Sequence, residues 1–341
     1  MTGMWQTIGH NKAVSSLARA LGEARMAHAY LVVGPPSVGK MTLAMDVARA
    51  LNCQGDMPPC GACTQCTRIS NALHPDVRLV ELETDDRGRL RTAISINQVR
   101  DVQREASLKP YEGRSRVYIF DGADRLQDAA ANALLKTLEE PPNQVVLILL
   151  ASAVESILPT ILSRCRRVDL RPVGVEIVAD HLVQHYEFDP HKADEVARLS
   201  GGRLGWAIRA VADPELLEQI GQQVEAVERT VQSGLESRLE YAAQLATRFT
   251  RDRADALGEL DVWLGWWRDA MMVEEGTPEL VRNTSRMSEL GAVADRMDKR
   301  SIAEAVRSVG RAVELLERNV NPRLAIEELM LAIPMPQPVR Q

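Results

Sequence analysis

The sequence has no excess of positive charge, no long apolar run and little cysteine, and each absence removes a class of function. Its 41 Lys and Arg are outnumbered by 47 Asp and Glu, giving a formal net charge of −6. A protein that holds nucleic acid through overall basicity is excluded; contact through a local patch or a shared channel is not. The strongest apolar run, Val145 to Ala151, is far too short to span a bilayer. Met1 to His10 has neither a basic start nor a continuous apolar core, so no secretory leader is expected and the chain reads as cytoplasmic. Internal repeats and low-complexity segments are also missing. What remains is the composition of a globular protein, 45% apolar and 26% charged over 341 residues, long enough for two or three domains.

The five cysteines are not scattered. Cys53, Cys60, Cys63 and Cys66 fall close together and Cys165 stands alone. In a reducing compartment such clustering favours metal binding over a disulfide framework. Four thiolates suffice for a closed tetrahedral Zn²⁺ site, and Pro58-Pro59 with Gly61 allow the tight turns that gather the last three. Reduced thiols or a redox pair are the alternative, and Cys-x-x-Cys alone would permit the latter. No open coordination position or nearby base suggests catalytic zinc. Few basic or aromatic side chains surround the cluster, which counts against a zinc ribbon that grips nucleic acid.

The first half of the chain alternates strand-like and helix-like segments, the pattern of an α/β domain with a parallel sheet. Strands are expected at Ala29–Val33, Val117–Phe120 and Val145–Leu150, the last apolar throughout as in a sheet centre. Helices are expected from Lys40 to about Asn52 and from Ala129 to Glu139, the second stopped by Pro141-Pro142. Beyond Arg171-Pro172 only helical periodicity is found. The expected division is an α/β domain over 1–168 with a zinc module at about 53–66, a helical subdomain over 169–212, and a larger helical domain over 213–341. Ile302, Val306, Val309, Val313, Leu316 and Val320 form one face of an amphipathic helix, buried in its own domain or set against a partner.

Gly34-Pro35-Pro36-Ser37-Val38-Gly39-Lys40 follows a strand and opens a helix, as a phosphate-binding loop requires. The glycines let the backbone curl so that amide groups and the helix N-terminus face an anion, with Lys40 reaching the outer phosphates. The motif then calls for a Ser or Thr whose hydroxyl coordinates Mg²⁺; here stands Met41, a thioether with little appeal for a hard cation. Thr42 is one place later, rotated by roughly 100° on a helix. Val117-Tyr118-Ile119-Phe120-Asp121 has the form of a metal-holding acidic strand, but Gly122 occupies the place of the glutamate that polarises water in active members of this class. Asp124 is either a substitute for it or an acid at a helix start.

Further segments carry a resemblance. Asn132-Ala133-Leu134-Leu135-Lys136-Thr137-Leu138-Glu139-Glu140-Pro141-Pro142 and Leu158-Pro159-Thr160-Ile161-Leu162-Ser163-Arg164-Cys165 resemble the signatures of bacterial clamp-loader subunits of DNA polymerase III. The cysteine module, His74-Pro75-Asp76-Val77 and Asn321-Pro322-Arg323-Leu324-Ala325 are similar to the delta-prime branch of that AAA+ family. The resemblance spans nearly the whole chain and is strongest from about 28 to 165. It implies an AAA+ P-loop module with a zinc-binding insertion, a helical lid and an all-α collar that holds subunits in a ring.

Motor subunits of the family place a sensor arginine near Gly202-Arg203-Leu204-Gly205; the matching position is Gly205, with Arg203 close by. The hydroxyl, the carboxylate and the sensor guanidinium are then all missing. Arg164 is retained, and the resemblance implies that it acts in trans on ATP bound by the adjacent subunit. The implied partners are the gamma/tau motor subunits, the delta subunit, the sliding clamp and, through the assembly, primer-template DNA. The chain would be a non-hydrolysing component of the DNA polymerase III holoenzyme, a hetero-oligomer with no membrane, in which Gly34 to Thr42 and Asp121 mark the place for ATP or ADP. An active gamma/tau-type ATPase, with Thr42 and Asp124 or Arg203 compensating, is the competing expectation.

Three other features stay open at this point. Ile8-Gly9-His10 resembles the family's N-terminal box beside an adenine, or is a plain turn. Trp263, Trp266 and Trp267 share one side of a helix, as core or as a stacking surface. Arg87, Arg89 and Arg91 with Asp85 and Asp86 form a solvated loop or a partner contact. Cys165, within the arginine box, reads as a buried thiol.

Overall fold

Apolar runs become parallel strands and the segments between them become helices. The computed structural model describes residues 3–85, 88, 90–318 and 320–335; Arg87, Arg89 and Asp86 lie outside the described residues. In chain order the first elements are α1 (Asn11–Gly22), β1 (Ala29–Val33), α2 (Lys40–Asn52), α3 (Thr64–Ser70), β2 (Val77–Val80) and α4 (Ile96–Ala106). They are followed by β3 (Arg116–Asp121), α5 (Asp128–Glu139), β4 (Val145–Ala151), the single turn α6 (Pro159–Leu162) and β5 (Arg166–Asp169). Helices α7 (Val175–Tyr186), α8 (Pro190–Ser200), α9 (Leu204–Ala212), α10 (Pro214–Gln232) and α11 (Leu235–Arg251) come next. The last four are α12 (Arg253–Glu274), α13 (Met287–Ala294), α14 (Lys299–Glu317) and α15 (Pro322–Ala332).

The chain divides into two compact units, Met1–Ile177 with Gly202–Trp206 and Val178–Gly201 with Ala207–Gln341. The first unit is built on one five-stranded sheet of order β2-β3-β4-β1-β5, parallel at every pairing. All residues of β1 and β4 are buried, as strands covered on both faces must be. The alternation along β1 shows why: Ala29, Leu31 and Val33 join a core with α4 and α5, while Tyr30 and Val32 join another with α1 and α2. The edge strands β2 and β5 carry no comparable apolar signature. Three of the four residues of β5 are exposed, and its sequence is Arg-Arg-Val-Asp.

Buried acids tie the loops to this sheet. Asp46 on α2 is fully buried, accepts the amides of Gln6 and Thr7 and the Thr7 hydroxyl, and pairs with Arg49. Removing one partner of such a pair costs about 3–5 kcal/mol, because the other is left charged and desolvated. Asp76 accepts the amides of Tyr111, Glu112 and Gly113 at 2.7–2.9 Å. Burial opposes its ionisation, but these amides and Arg116 hold its carboxyl below the ordinary range. Helix α4 starts with a reciprocal cap in which Ser95 and Gln98 exchange backbone and side-chain hydrogen bonds.

The second unit is wholly helical among its described residues. Trp263, Trp266 and Trp267 are fully buried in its core, so the tryptophan side of α12 is packing and not a stacking surface. On α14, Ile302, Val309 and Leu316 are fully buried and Val306 and Val313 pack against the same core. The helix stops at Glu317, earlier than the apolar stripe suggests, and Val320 lies beyond it, exposed. Asn321 then caps α15 through the amides of Arg323 and Leu324. No helix among the described residues is long and apolar enough to cross a membrane.

Candidate functional site

In a parallel sheet the loops at the carboxyl ends of the strands form the ligand side. The register pairs Val33 of β1 with Ala151 of β4 and Asp169 of β5, and Asp121 of β3 with Leu150 of β4. The phosphate loop after β1 and the acid at the end of β3 are thereby held on one edge, with the end of β4 between them.

The loop itself is tightly seated. A Cβ on Gly34 would stand 2.4 Å from the Leu170 carbonyl oxygen, so only glycine lets β1 turn here. Ser37 and Gly39 have positive φ values of 62° and 106°, the curl that turns successive amides inward. Lys40 opens α2 and donates to the carbonyls of Gly34 and Pro35 at 2.5 and 2.9 Å. Burial pulls its pKa below the ordinary lysine value, and the charges of Asp124 and Asp121 act against that. Behind the loop, buried His10 meets the Val38 carbonyl through Nε2 at 3.0 Å. Gly9 has φ +78°, and an added Cβ would stand 2.3 Å from Val173. Pro35 and Pro36 are half-buried and exposed, respectively.

Met41, Gly122 and Gly205, where the family resemblance expects a hydroxyl, a carboxylate and a guanidinium, differ in how they are held. Met41 packs against the apolar core between α2 and the sheet, and the half-buried Thr42 makes no side-chain hydrogen bond to a described residue. Gly122 sits at φ 90°, ψ 52°, a left-handed conformation that costs an L-residue roughly 1–2 kcal/mol. The nearest atom to an added Cβ there is 3.5 Å away, so the obstacle is torsional and not steric. Asp124 accepts the Ser152 amide through Oδ2 at 3.3 Å. Gly205 donates its amide to the Ser37 carbonyl at 2.9 Å, and an added Cβ would lie 3.0 Å from that oxygen. The backbone at Gly205 therefore rests directly on the phosphate loop. Arg203 lies 6.0 Å from the centre of the Trp206 ring.

Arg164 lies just before β5. Its guanidinium donates to the Thr160 carbonyl and Ser163 Oγ at 2.9 and 3.1 Å, and pairs with Glu139 at 2.7 Å. Both partners of the ion pair are partly exposed, so it holds the arginine in place with about 0–1 kcal/mol and is easily exchanged. Glu139, at the end of α5, falls within the signature over 132–142, but nothing in the sequence pairs it with Arg164. Cys165 packs against the core, and burial pushes its thiol up to about 12, which makes it inert.

A separate centre forms where α2 ends and α3 begins. The Sγ atoms of Cys53, Cys60, Cys63 and Cys66 all lie within 4.8 Å of one another. Four sulfurs about 2.3 Å from a shared ion fit that spread, and the all-thiolate set suits a closed structural site. Backbone amides already point at the sulfurs: Gly55 and Cys60 donate to Cys53, Cys63 to Cys60, and Cys66 to Cys63, at 3.3–3.5 Å. Burial opposes thiolate formation at Cys63, yet the amides of Gln54 and Cys66 and neighbouring thiols bring it down to about 6. A Cβ on Gly55 would crowd Cys60 at 2.9 Å. The Pro58-Pro59 bond is cis and Gly61 has φ 72°. Behind the module, buried His74 bonds to Gln65 of α3 and accepts the Asp76 amide at 3.1 Å.

The parallel sheet, the phosphate loop and the acidic strand end define a P-loop module of the AAA+ type, with a four-cysteine insertion able to hold zinc. A family model described as "DNA polymerase III, delta subunit" matches residues 9–174. The DNA polymerase III subunit delta' of Bacillus subtilis is 26% identical over 323 residues, covering 94% of this chain and 95% of the relative. The subunit tau of Escherichia coli is 32% identical over 222 residues, covering 63% of this chain but only 33% of the relative. A solved gamma subunit-related protein of Thermotoga maritima is 18% identical, with a TM-score of 0.40 over 93% of this chain and 97% of its own. The chain is thus similar over nearly its whole length to a delta' subunit of DNA polymerase III, and over 63% of it to a tau subunit.

The left-handed backbone of Gly122 sets an expectation for a substitution there. Gly122→Glu is expected to lower stability by about 1–2 kcal/mol in urea denaturation and to give the isolated chain no ATP turnover. Robust turnover by that variant would mean that the carboxylate alone was lacking.

Proposed function

We propose that the chain is a delta-prime-like subunit that hydrolyses no ATP itself and supplies Arg164 to the ATP site of a neighbouring motor subunit. The observation that carries this reading is the left-handed backbone of Gly122 at the place of the catalytic base. The apolar seat of Met41 and the close approach of Gly205 to Ser37 support it, since each removes a different contribution to one reaction. The delta' relative from Bacillus subtilis, aligned over nearly the full length of both chains, supports the same branch.

In this reading the AAA+ module spans 1–168, the lid 169–212 and the collar 213–341, the last joining a ring with gamma/tau and delta subunits. The ring opens the sliding clamp and sets it on primer-template DNA. Arg164 swings from the weak pair with Glu139 to the neighbour's γ-phosphate, where a planar guanidinium spans two oxygens as charge develops. Such a contribution is worth on the order of 10³–10⁵ in rate. The cradle of Gly34 to Lys40 keeps its anion-binding form, and ATP or ADP bound there, with Thr42 and Asp121 at its edge, acts as a structural ligand. Zn²⁺ held by Cys53, Cys60, Cys63 and Cys66 contributes folding free energy to the insertion.

The isolated chain is therefore expected to show no Lys40-dependent ATP turnover. Arg164→Lys, which keeps the charge but not the fork, is expected to slow hydrolysis by a ring reconstituted with gamma/tau subunits at least about tenfold. Turnover by the isolated chain that is lost in Lys40→Ala would make it a motor and sink the proposal. For the metal, natively purified chain is expected to carry one zinc ion by elemental analysis. A strong chelator should remove it and lower the melting temperature. Metal-free protein with the same melting temperature would refute a structural zinc.

A further inference from the structure

The four-cysteine module forms one wall of the loop that leads from α4 to β3, residues 107–115. Three lines of bonding run from the module to that loop. Asn52, the last residue of α2 and the neighbour of Cys53, accepts the Ser115 amide through Oδ1 at 2.9 Å, while its own amide group donates to the Ala48 carbonyl at 3.3 Å. Arg68 of α3 pairs with Glu112 and donates to the Leu73 carbonyl at 3.2 Å. Gln65, the neighbour of Cys66, bonds to His74, which accepts the amide of Asp76. Asp76 then accepts the amides of Tyr111, Glu112 and Gly113. Loop and module are in close contact: a Cβ on Gly113 would stand 2.5 Å from Asn52 Oδ1 and 3.2 Å from His74 Cε1.

Apolar burial does not hold this loop, since Leu108 is 62% and Tyr111 82% exposed. The sheet supplies Asp76 and also Arg116, which donates to the Lys109 carbonyl at 2.9 Å. A segment with so little buried surface takes its conformation from such bonds, and it opens when they go. The module's own anchors sit on two different elements, Asn52 on α2 and Gln65 and Arg68 on α3. Residues 53–63 between those elements form neither helix nor strand. Arg49 of α2 holds the last residue of α3, Ser70, through Oγ at 3.2 Å. At the other end of α3 the link to α2 is the cysteine cluster: Cys53 follows α2, Cys63 caps α3 and Cys66 lies in its first turn. Thiols alone make weak hydrogen bonds, whereas a shared ion joins the two helices outright.

We propose that zinc in the four-cysteine centre fastens the loop over residues 107–115. By joining the end of α2 to the start of α3, the ion sets Asn52, Arg68 and the Gln65–His74 bridge at the spacing this loop requires. The inference rests on the reading of the cluster as a zinc site. The effect stays on this side of the domain. Helix α2 also begins the phosphate loop's helix at Lys40, but Asp46 at its middle is locked by the amides of Gln6 and Thr7 and by Arg49. A change at Cys53 therefore stops short of Lys40. By linkage, whatever the ion contributes to the loop, the loop returns to the affinity for the ion.

The test is hydrogen–deuterium exchange of the full chain, zinc-loaded and after chelation. Exchange at Tyr111, Glu112, Gly113 and Ser115 is expected to quicken by at least about tenfold on zinc removal, with residues 34–40 and the tryptophan core of α12 little changed. Unchanged protection of the loop, in chain shown by elemental analysis to have lost its zinc, overturns the proposal. So does equal loosening of residues 34–40. A chain that neither carries nor takes up zinc refutes the zinc reading itself, and the coupling with it. Where chelation unfolds the whole chain, Gly113→Ala decides. It leaves the cysteines in place and drives the loop away from Asn52 and His74, so it is expected to speed zinc loss to a chelator by about tenfold. A folded Gly113→Ala chain that releases zinc at the unaltered rate overturns the proposal.

Discussion

The register of β1 between β4 and β5 is the constraint on which the candidate site depends. It places Gly34 against the backbone at Leu170, where a Cβ would come within 2.4 Å of a carbonyl oxygen, and so forces the chain into the phosphate loop at once. The same pairing sets β5 at the sheet edge and fixes the ribbon that carries Arg164. One register therefore holds an inward-facing anion cradle and, on the adjoining ribbon, a cation held only by a weak and partly exposed ion pair.

The proposed lack of hydrolysis rests on one side chain and on two stretches of backbone. Met41 packs its thioether against the core. Gly122 adopts a conformation L-residues avoid, and Gly205 lies against Ser37. Both positions suit glycine, Gly122 by its torsion and Gly205 by its close approach to the Ser37 carbonyl, and the proposed arginine-lending role asks for no side chain at either. The cysteine module is separate from that chemistry, and its hydrogen bonds through Gln65 and His74 tie it to the start of β2.

Local signals were the legible ones. The phosphate loop, Asp121 and the cysteine spacing each occupy a short stretch, and β1, β3 and β4 announce themselves as apolar runs because the sheet covers them on both faces. The edge strands did not, since β5 is Arg-Arg-Val-Asp and draws its pairing from β1 and not from burial. Nor did the long-range anchors: Asp46 and Asp76 look like ordinary surface acids until the fold brings amides from 30 to 40 residues away onto them. The partner of Arg164 escaped for the same reason, because α5 and the turn before β5 meet only in space. Even the apolar stripe of α14 overran its helix, since Val320 continues the spacing after the hydrogen bonds have stopped.

The most direct measurement of the central claim is single-turnover ATP hydrolysis in the reconstituted ring, comparing Arg164→Ala with Lys40→Ala in this chain alone. The account predicts that Arg164→Ala slows the neighbouring site by orders of magnitude, toward the 10³–10⁵ range of a lost arginine, while Lys40→Ala leaves the rate nearly unchanged. The reverse pattern, with Lys40 required and Arg164 dispensable, would contradict it.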